Sequence, residues 1–196
     1  MMKKFRSLEE ELNIEQKRMF HKWLTKAVDD ENFDLFKNVV KFIGEQWSVI
    51  RTVKSEKFHD FCLNLWNEMK SIKGGTYRWY DNSEFNAYSY ESKICFLLYP
   101  NKYKLIYDKN NRCNLSKPEN KEKIENYFLK NRRVKLKISK TDTENLRKNW
   151  QQIVNAFYDL KLHGKGKIKE GEGFFEDYYM IDFESWLNGM KASQIP

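Results

Sequence analysis

Residues 91–115 read ESKICFLLYPNKYKLIYDKNNRCNL, and this stretch decides how the chain folds. Ser92 is a predicted cap for an apolar helix, which Pro100 ends because proline disfavours helical backbone at the residue before it. Asp108 then precedes a second, basic segment. Lys93 and Asp108 are 15 positions apart, and the apolar residues between them are expected to bring the two ends into one region.

The first third of the chain has the periodicity of amphipathic helices. Apolar side chains recur at helical spacing over residues 14–28, again after Asp29 and Asp30, and over residues 55–72. The two aspartates and Ser55 are predicted helix caps, and Gly44 is expected to weaken or end the second helix. Three such helices with short connections form a bundle, so their aromatic residues are expected in its core.

The remaining segments are also predicted to be mainly helical. Helices are expected over residues 118–130, from residues 141–144 to Gly164, and over 174–190. Residues 133–138 alternate cationic and apolar side chains, which predicts a short strand near 133–139. The predicted fold is therefore mostly α, a helical bundle with two packed helical parts and at most that one β element. The parts are residues 1–73 and 74–196, expected to form one compact domain.

Composition narrows the class of protein. No run approaches 18 consecutive apolar residues, so no membrane span is predicted, and the first residues do not read as a secretory signal. The three cysteines, Cys62, Cys95 and Cys113, are odd in number and have no CxxC spacing. A cytoplasmic protein without disulfides is the expectation.

Positive charge is concentrated in the second half of the chain. Residues 101–169 contain 19 Lys and Arg against 7 Asp and Glu, although the whole chain has a net charge of only +8. Such a distribution indicates a surface that faces a polyanion, and nucleic acid, with DNA as the expected form, is the predicted partner. A solvated face rich in lysine and asparagine is the alternative.

The segment RRVKLKISK, residues 132–140, is the best candidate for phosphate contacts. It has no acidic residue, and its contacts would position a nucleic acid without reading its sequence. On an edge strand, the same lysines could instead prevent aggregation. The predicted phosphate-binding residues are Lys130, Arg132, Arg133, Lys135, Lys137 and Lys140.

An aromatic segment, TYRWYDNSEFNAYSY at residues 76–90, follows two glycines. Tyr77, Trp79 and Tyr80 are candidates for stacking on bases, which contributes about 1–3 kcal/mol per base. A loop packed on the bundle would use the same residues. No metal, cofactor or nucleotide-loop motif is recognisable, because the three histidines are scattered and no phosphate-loop sequence occurs. No cofactor is therefore predicted.

The stretch SKICFLLYPNKYKLIYDKNNRCNL, followed by IDFESWL at residues 181–187, resembles segments of uncharacterised bacterial and phage proteins related to the helix-hairpin-helix DNA glycosylase-like fold. The resemblance implies that Lys93 and Asp108 flank a scissile sugar. Lys93 would be the nucleophile, and Asp108 would stabilise positive charge or activate water. As an alternative from the residues alone, Asp108 is simply a helix N-cap.

Two functions follow as expectations. The first is a DNA-associated helical protein that recognises DNA or acts on it, with the question of catalysis left open. The second is a non-enzymatic phage or mobile-element protein that binds a host protein or a nucleic-acid complex and inhibits it or interacts with it.

Overall fold

A computed structural model describes residues 8–71, 85–132, 136, 138–139, 142–162 and 174–193 of the chain. These residues are helical apart from short connections, and none of them lies in a β-strand. The mostly α fold class is confirmed. The α-helices are α1 (Leu8–Asp29), α2 (Phe33–Gln46), α3 (Phe58–Ser71), α4 (Tyr88–Leu98), α5 (Pro100–Tyr103), α6 (Lys109–Leu115), α7 (Pro118–Arg132), α8 (Thr143–Leu162) and α9 (Phe174–Ser193).

The chain forms two compact units, Met1–Lys102 and Tyr103–Pro196. The division predicted between residues 73 and 74 lies outside the described residues and stays a prediction. No helix within the described ranges is long and apolar enough to cross a membrane.

Helix α4 is the centre of the first unit. Every residue from Tyr90 to Leu98 is buried, both the apolar second half of the helix and the polar residues Glu91, Ser92 and Lys93. Helix α1 contacts α4 through the His21 ring, whose Nδ1 lies 2.6 Å from the carbonyl oxygen of Leu97. Helix α3 contacts it through the Phe61 ring, whose centroid is 5.0 Å from that of Tyr90.

Helix α2 approaches α4 at a glycine. The Tyr90 hydroxyl donates a hydrogen bond to the Val40 carbonyl at 2.5 Å and passes directly over Gly44. A Cβ at position 44 would lie 2.2 Å from that hydroxyl oxygen, far inside van der Waals contact. Burial raises the pKa of Tyr90 well above its ordinary value. Gly44 does not end α2, as the sequence suggested it could, and instead makes room for the central helix.

The predicted caps of the first unit are wrong. Helix α1 continues through Asp29, and Asn32 caps α2 by accepting a hydrogen bond from the Leu35 amide at 2.9 Å. Ser55 opens a 3₁₀ turn, Ser55–Lys57, and α3 starts only after it.

The cap predicted for α4 is wrong as well. Ser92 lies inside α4, where its hydroxyl donates to the Ser89 carbonyl, because no helix-breaking residue precedes it within Tyr88–Glu91 and the helix begins at Tyr88. The helix ends at Leu98, and Pro100 then starts the short helix α5.

The three cysteines are buried thiols. Cys62 and Cys95 are completely inaccessible, and burial raises the pKa of Cys62 to about 12. A thiol with such a pKa carries almost no thiolate near neutral pH, so Cys62 is a small apolar core residue, as its sequence environment predicted.

The second unit is organised around α6 and α9. Gly189 of α9 lies against the backbone of α6, and a Cβ there would be 1.7 Å from the carbonyl oxygen of Asn110. Helix α8 contributes Trp150, whose indole N–H donates to the Leu105 carbonyl at 3.3 Å, and α8 also packs against α7.

The predicted strand near 133–139 falls mainly outside the described residues. Of that segment, Leu136, Ile138 and Ser139 are described, and none of the three is in a strand. Ile138 is completely buried and its N–H donates to the Glu125 carboxylate at 2.7 Å. This burial agrees with the apolar side of the alternating pattern.

We predict that Gly189→Ala destabilises the protein, although the same change in an ordinary helix interior stabilises it by about 1 kcal/mol. The added methyl group overlaps a backbone oxygen that cannot rotate away, so the free energy of unfolding should fall by about 1–3 kcal/mol. Urea unfolding followed by circular dichroism measures this change. Asn188→Ala, at an exposed neighbouring position, is the control, and equal stability of the two variants would contradict the prediction.

Candidate nucleic-acid interface

One face of α9 carries the polar residues that meet α6. Asp182, Ser185 and Gly189 are spaced by three and four residues, so they lie on the same side of the helix. Asp182 and Ser185 are both nearly inaccessible to solvent. The Ser185 hydroxyl accepts a hydrogen bond from the Asn114 side-chain amide at 3.0 Å. Asp182 of the last helix therefore faces a protein neighbour.

Asp182 fixes the link that leads into α6, which consists of residues 105–107. Its Oδ1 accepts one hydrogen bond from the Ile106 N–H and a second from the Asn111 side-chain amide, both at 3.0 Å. The same Asn111 amide group donates to the Ile106 carbonyl at 3.0 Å. A buried carboxylate with this many donors positions the backbone before Asp108, which is a structural role.

Asp108 is the N-cap of α6. Its Oδ1 accepts a hydrogen bond from the Asn111 N–H at 2.8 Å, and its backbone is extended, as the cap position requires. The alternative in which Asp108 caps a helix is confirmed. The residues on either side of Asp108 also contact each other, because the Arg112 guanidinium lies 4.9 Å from the centre of the Tyr107 ring. This contact stabilises the same turn.

Lys93 lies inside α4, in the first unit, and is about 8% exposed. Its ammonium nitrogen is 3.4 Å from the Ser89 hydroxyl and 5.7 Å from the centre of the Trp47 ring. Asp108 belongs to the second unit. Their convergence and their catalytic roles stay predictions.

The residue before the link, Lys104, is held by Tyr158 of α8. The backbone of Lys104 has a φ of 58°, and its carbonyl accepts a hydrogen bond from the Tyr158 hydroxyl at 2.8 Å. The Lys104 ammonium lies 5.6 Å from the centre of the same ring. Burial lowers the pKa of Lys104 and raises the pKa of Tyr158 well above its ordinary value.

The predicted phosphate-binding residues lie at and beyond the end of α7. Lys130 is exposed on the last turn, and Arg132 is the final residue of the helix. The other four cations predicted there, and the predicted stacking residues Tyr77, Trp79 and Tyr80, lie outside the described residues.

A hydrogen bond that the sequence did not predict joins the ends of α7 and α8. The Tyr127 hydroxyl donates to the Asp159 carboxylate at 2.6 Å. Arg132 follows Tyr127 by five residues and Leu162 follows Asp159 by three, about 7.5 and 4.5 Å of helix. With the reach of the two side chains, the Cα atoms of Arg132 and Leu162 are no more than about 25 Å apart.

The cation-rich parts of the second half are attached at these two helix ends. Residues 126–141 contain six Lys and Arg, residues 160–169 contain four more, and neither range has an acidic residue. The acidic residues that precede these ranges, Glu125 and Asp159, both accept hydrogen bonds. The contact between α7 and α8 therefore brings the attachment points of two basic segments into one region.

A pocket of about 530 Å³ lies in the first unit, and none of its lining residues belongs to a functional site predicted from the sequence. Its lining combines Ile50, Val53 and Phe58 with the cationic residues Lys41, Arg51 and Lys54. Within the part of the chain that the structure describes, no group of three or more His, Cys, Asp and Glu side chains could hold a metal ion.

These features define a mostly α protein with two compact units, in which the described residues contain no β-strand. Comparison with protein-family models, curated proteins and solved structures finds no match to the chain.

We predict that Asp182→Ala lowers the free energy of unfolding by about 2–5 kcal/mol, because two buried donors lose their shared acceptor. Asp182→Asn keeps an acceptor oxygen and should cost less than half as much. Chemical denaturation measures both, with Glu184→Ala on the same helix as the control. Equal losses for Ala and Asn would show that the negative charge, and not the acceptor, matters.

Asp108→Ala should lower the free energy of unfolding by about 0.5–2 kcal/mol, because the Asn111 amide loses its cap. Asp108→Asn should remain close to wild type, since asparagine caps helices as well as aspartate does. Thermal unfolding tests the pair, with Glu122→Ala as an exposed control. If Asn destabilises as much as Ala, capping is not the role of this side chain.

Proposed function

We propose that the protein binds nucleic acid, with DNA as the expected form, through the basic segments attached at the ends of α7 and α8. The observation that carries the proposal is the Tyr127–Asp159 hydrogen bond, which brings those two ends together. Two sequence segments that together contain ten cations, with no acidic residue inside either one, are therefore attached close together on the second unit. A span of no more than about 25 Å between the attachment points suits contacts to successive phosphates of one nucleic-acid segment.

The predominance of lysine and arginine in these basic segments fits contact with phosphates better than recognition of particular bases. Lysine and arginine contacts to phosphates position a nucleic acid but do not distinguish its bases. The buried Ile138 anchors the first basic segment to α7. This anchor supports a surface in which the cations of the alternating pattern face outward while the apolar residues face the core.

The geometry supports binding of nucleic acid better than it supports a reaction on nucleic acid. The Asp108 carboxylate is engaged as a helix cap, and Asp182 is engaged in fixing the preceding link. The resemblance to glycosylase-like proteins adds one expectation, that damaged DNA is preferred over intact duplex.

Fluorescence anisotropy with labelled duplex, abasic duplex and single-stranded DNA, at about 50–300 mM salt, tests the proposal. About six phosphate contacts predict a slope near −5 for log affinity against log salt. Replacement of Arg133, Lys135, Lys137 and Lys140 by Gln should reduce the magnitude of that slope by about 3–4. The matched control replaces four exposed cations of the first unit that lie outside its pocket, Arg18, Lys22, Lys26 and Lys57, by Gln.

The outcomes separate the two functions proposed from the sequence. Loss of affinity only in the second-unit variant supports binding at the α7 and α8 ends. Equal loss in both variants would indicate a nonspecific effect of net charge and would contradict the proposed location. Absence of binding to all three DNAs at low salt would reject nucleic-acid binding and favour a protein partner with an acidic surface.

A further inference from the structure

The first unit contains a pocket that the proposed nucleic-acid surface does not use. It lies where the end of α2, the 3₁₀ turns Ile50–Thr52 and Ser55–Lys57 and the start of α3 come together, and its volume is about 530 Å³. Small-molecule sites in proteins typically have volumes of about 300–1,000 Å³ and mostly apolar walls. The size is therefore right for a ligand with one or two rings.

The wall of the pocket is apolar. Val53 is buried, whereas Ile50 and Phe58 are half-buried and keep part of their apolar surface accessible. The Phe58 ring also packs against Phe61 in the core, with 6.3 Å between ring centroids. This packing fixes one edge of the pocket, which favours a rigid, pre-formed site for a flat apolar group.

Three cations surround that wall. Lys41, Arg51 and Lys54 line the pocket, and no acidic side chain is among the described residues that do so. Within the described ranges, none of these three cations forms an ion pair with a carboxylate. Arginine and lysine placed beside an apolar surface are the groups that recognise carboxylate and phosphate, arginine with two parallel hydrogen bonds.

The two halves of the lining specify the chemistry of the ligand. A neutral apolar molecule would contact the wall but gain nothing from the three exposed cations, and a free inorganic anion would leave the apolar wall in water. Only a molecule with both an apolar body and an anionic head satisfies both parts. We propose that this pocket binds a small amphiphilic anion, a flat apolar group carrying a phosphate or a carboxylate.

Three probes that share a naphthalene ring test this directly by isothermal titration calorimetry: 1-naphthyl phosphate, 1-naphthoate and the uncharged 1-naphthol. The proposal predicts binding of at least one of the two anions with a Kd on the order of 10–100 μM, as ligands of this size reach. It also predicts that 1-naphthol binds at least tenfold more weakly. Whichever anion binds more tightly identifies the head group.

Two variants locate the site. Arg51→Gln/Lys54→Gln removes two of the cations and should weaken anion binding at least tenfold. Ser55→Trp, at an exposed position on the lining, keeps the charge but fills the opening and should also abolish binding. Lys135→Gln/Lys137→Gln, with the same loss of charge in the other unit, is the control and should bind as the wild type does.

Three results would overturn the proposal. One is the absence of heat with all three probes, the second is equal affinity for 1-naphthol and the anions, and the third is unchanged binding in both pocket variants. Circular dichroism of each variant establishes that it is folded. Because the control variant here carries substitutions in the proposed nucleic-acid surface, the two proposals can fail independently.

Discussion

Each compact unit depends on one close approach that only glycine permits. In the first unit, Gly44 lets the Tyr90 hydroxyl pass over α2 and reach the Val40 carbonyl, which seats the central helix. In the second, Gly189 lets α9 touch the backbone of α6 at Asn110. A methyl group at either position would push neighbouring helices apart, and the hydrogen bonds beside the contact would be lost together with the packing.

The polar residues near those contacts stabilise the fold by forming hydrogen bonds to backbone groups. Asp182 and Asn111 satisfy the backbone of Ile106, and Asp108 satisfies the first turn of α6. Buried polar groups with several partners fix one arrangement, because every alternative leaves a donor or an acceptor unpaired. The surfaces proposed for binding are elsewhere, at the ends of α7 and α8 in one unit and around the pocket in the other. At the ends of α7 and α8, cations also offset the partial negative charge of two helix C-termini.

Periodicity predicted which segments are helical, because apolar spacing depends only on near neighbours in sequence. The apolar spacing of α4 likewise indicated a helix, but the burial of Glu91, Ser92 and Lys93 within it depends on the helices that surround it, which no local pattern shows. The caps of the first unit were missed, because Asn32 and not Asp29 occupies the extended position before α2. Asp108 was correctly weighed as a cap. Its partner in the fold, Asp182, lies 71 residues beyond Asn111, and the Tyr127–Asp159 contact spans 32 residues, so no local pattern could pair them. The pocket has no sequence signature, because Arg51 and Lys54 lie in and between two short 3₁₀ turns that no apolar spacing marks.

The central position of α4 also bears on how the first unit is made. Ribosomes deliver a chain from its N-terminus at about 5–20 residues per second, and α4 is the last helix of this unit to emerge. Until then α1, α2 and α3 have no partner for the faces that α4 covers, including Phe61 and the Gly44 surface. The unit therefore cannot complete its core until α4 has left the ribosome, although α1, α2 and α3 can already pack against one another.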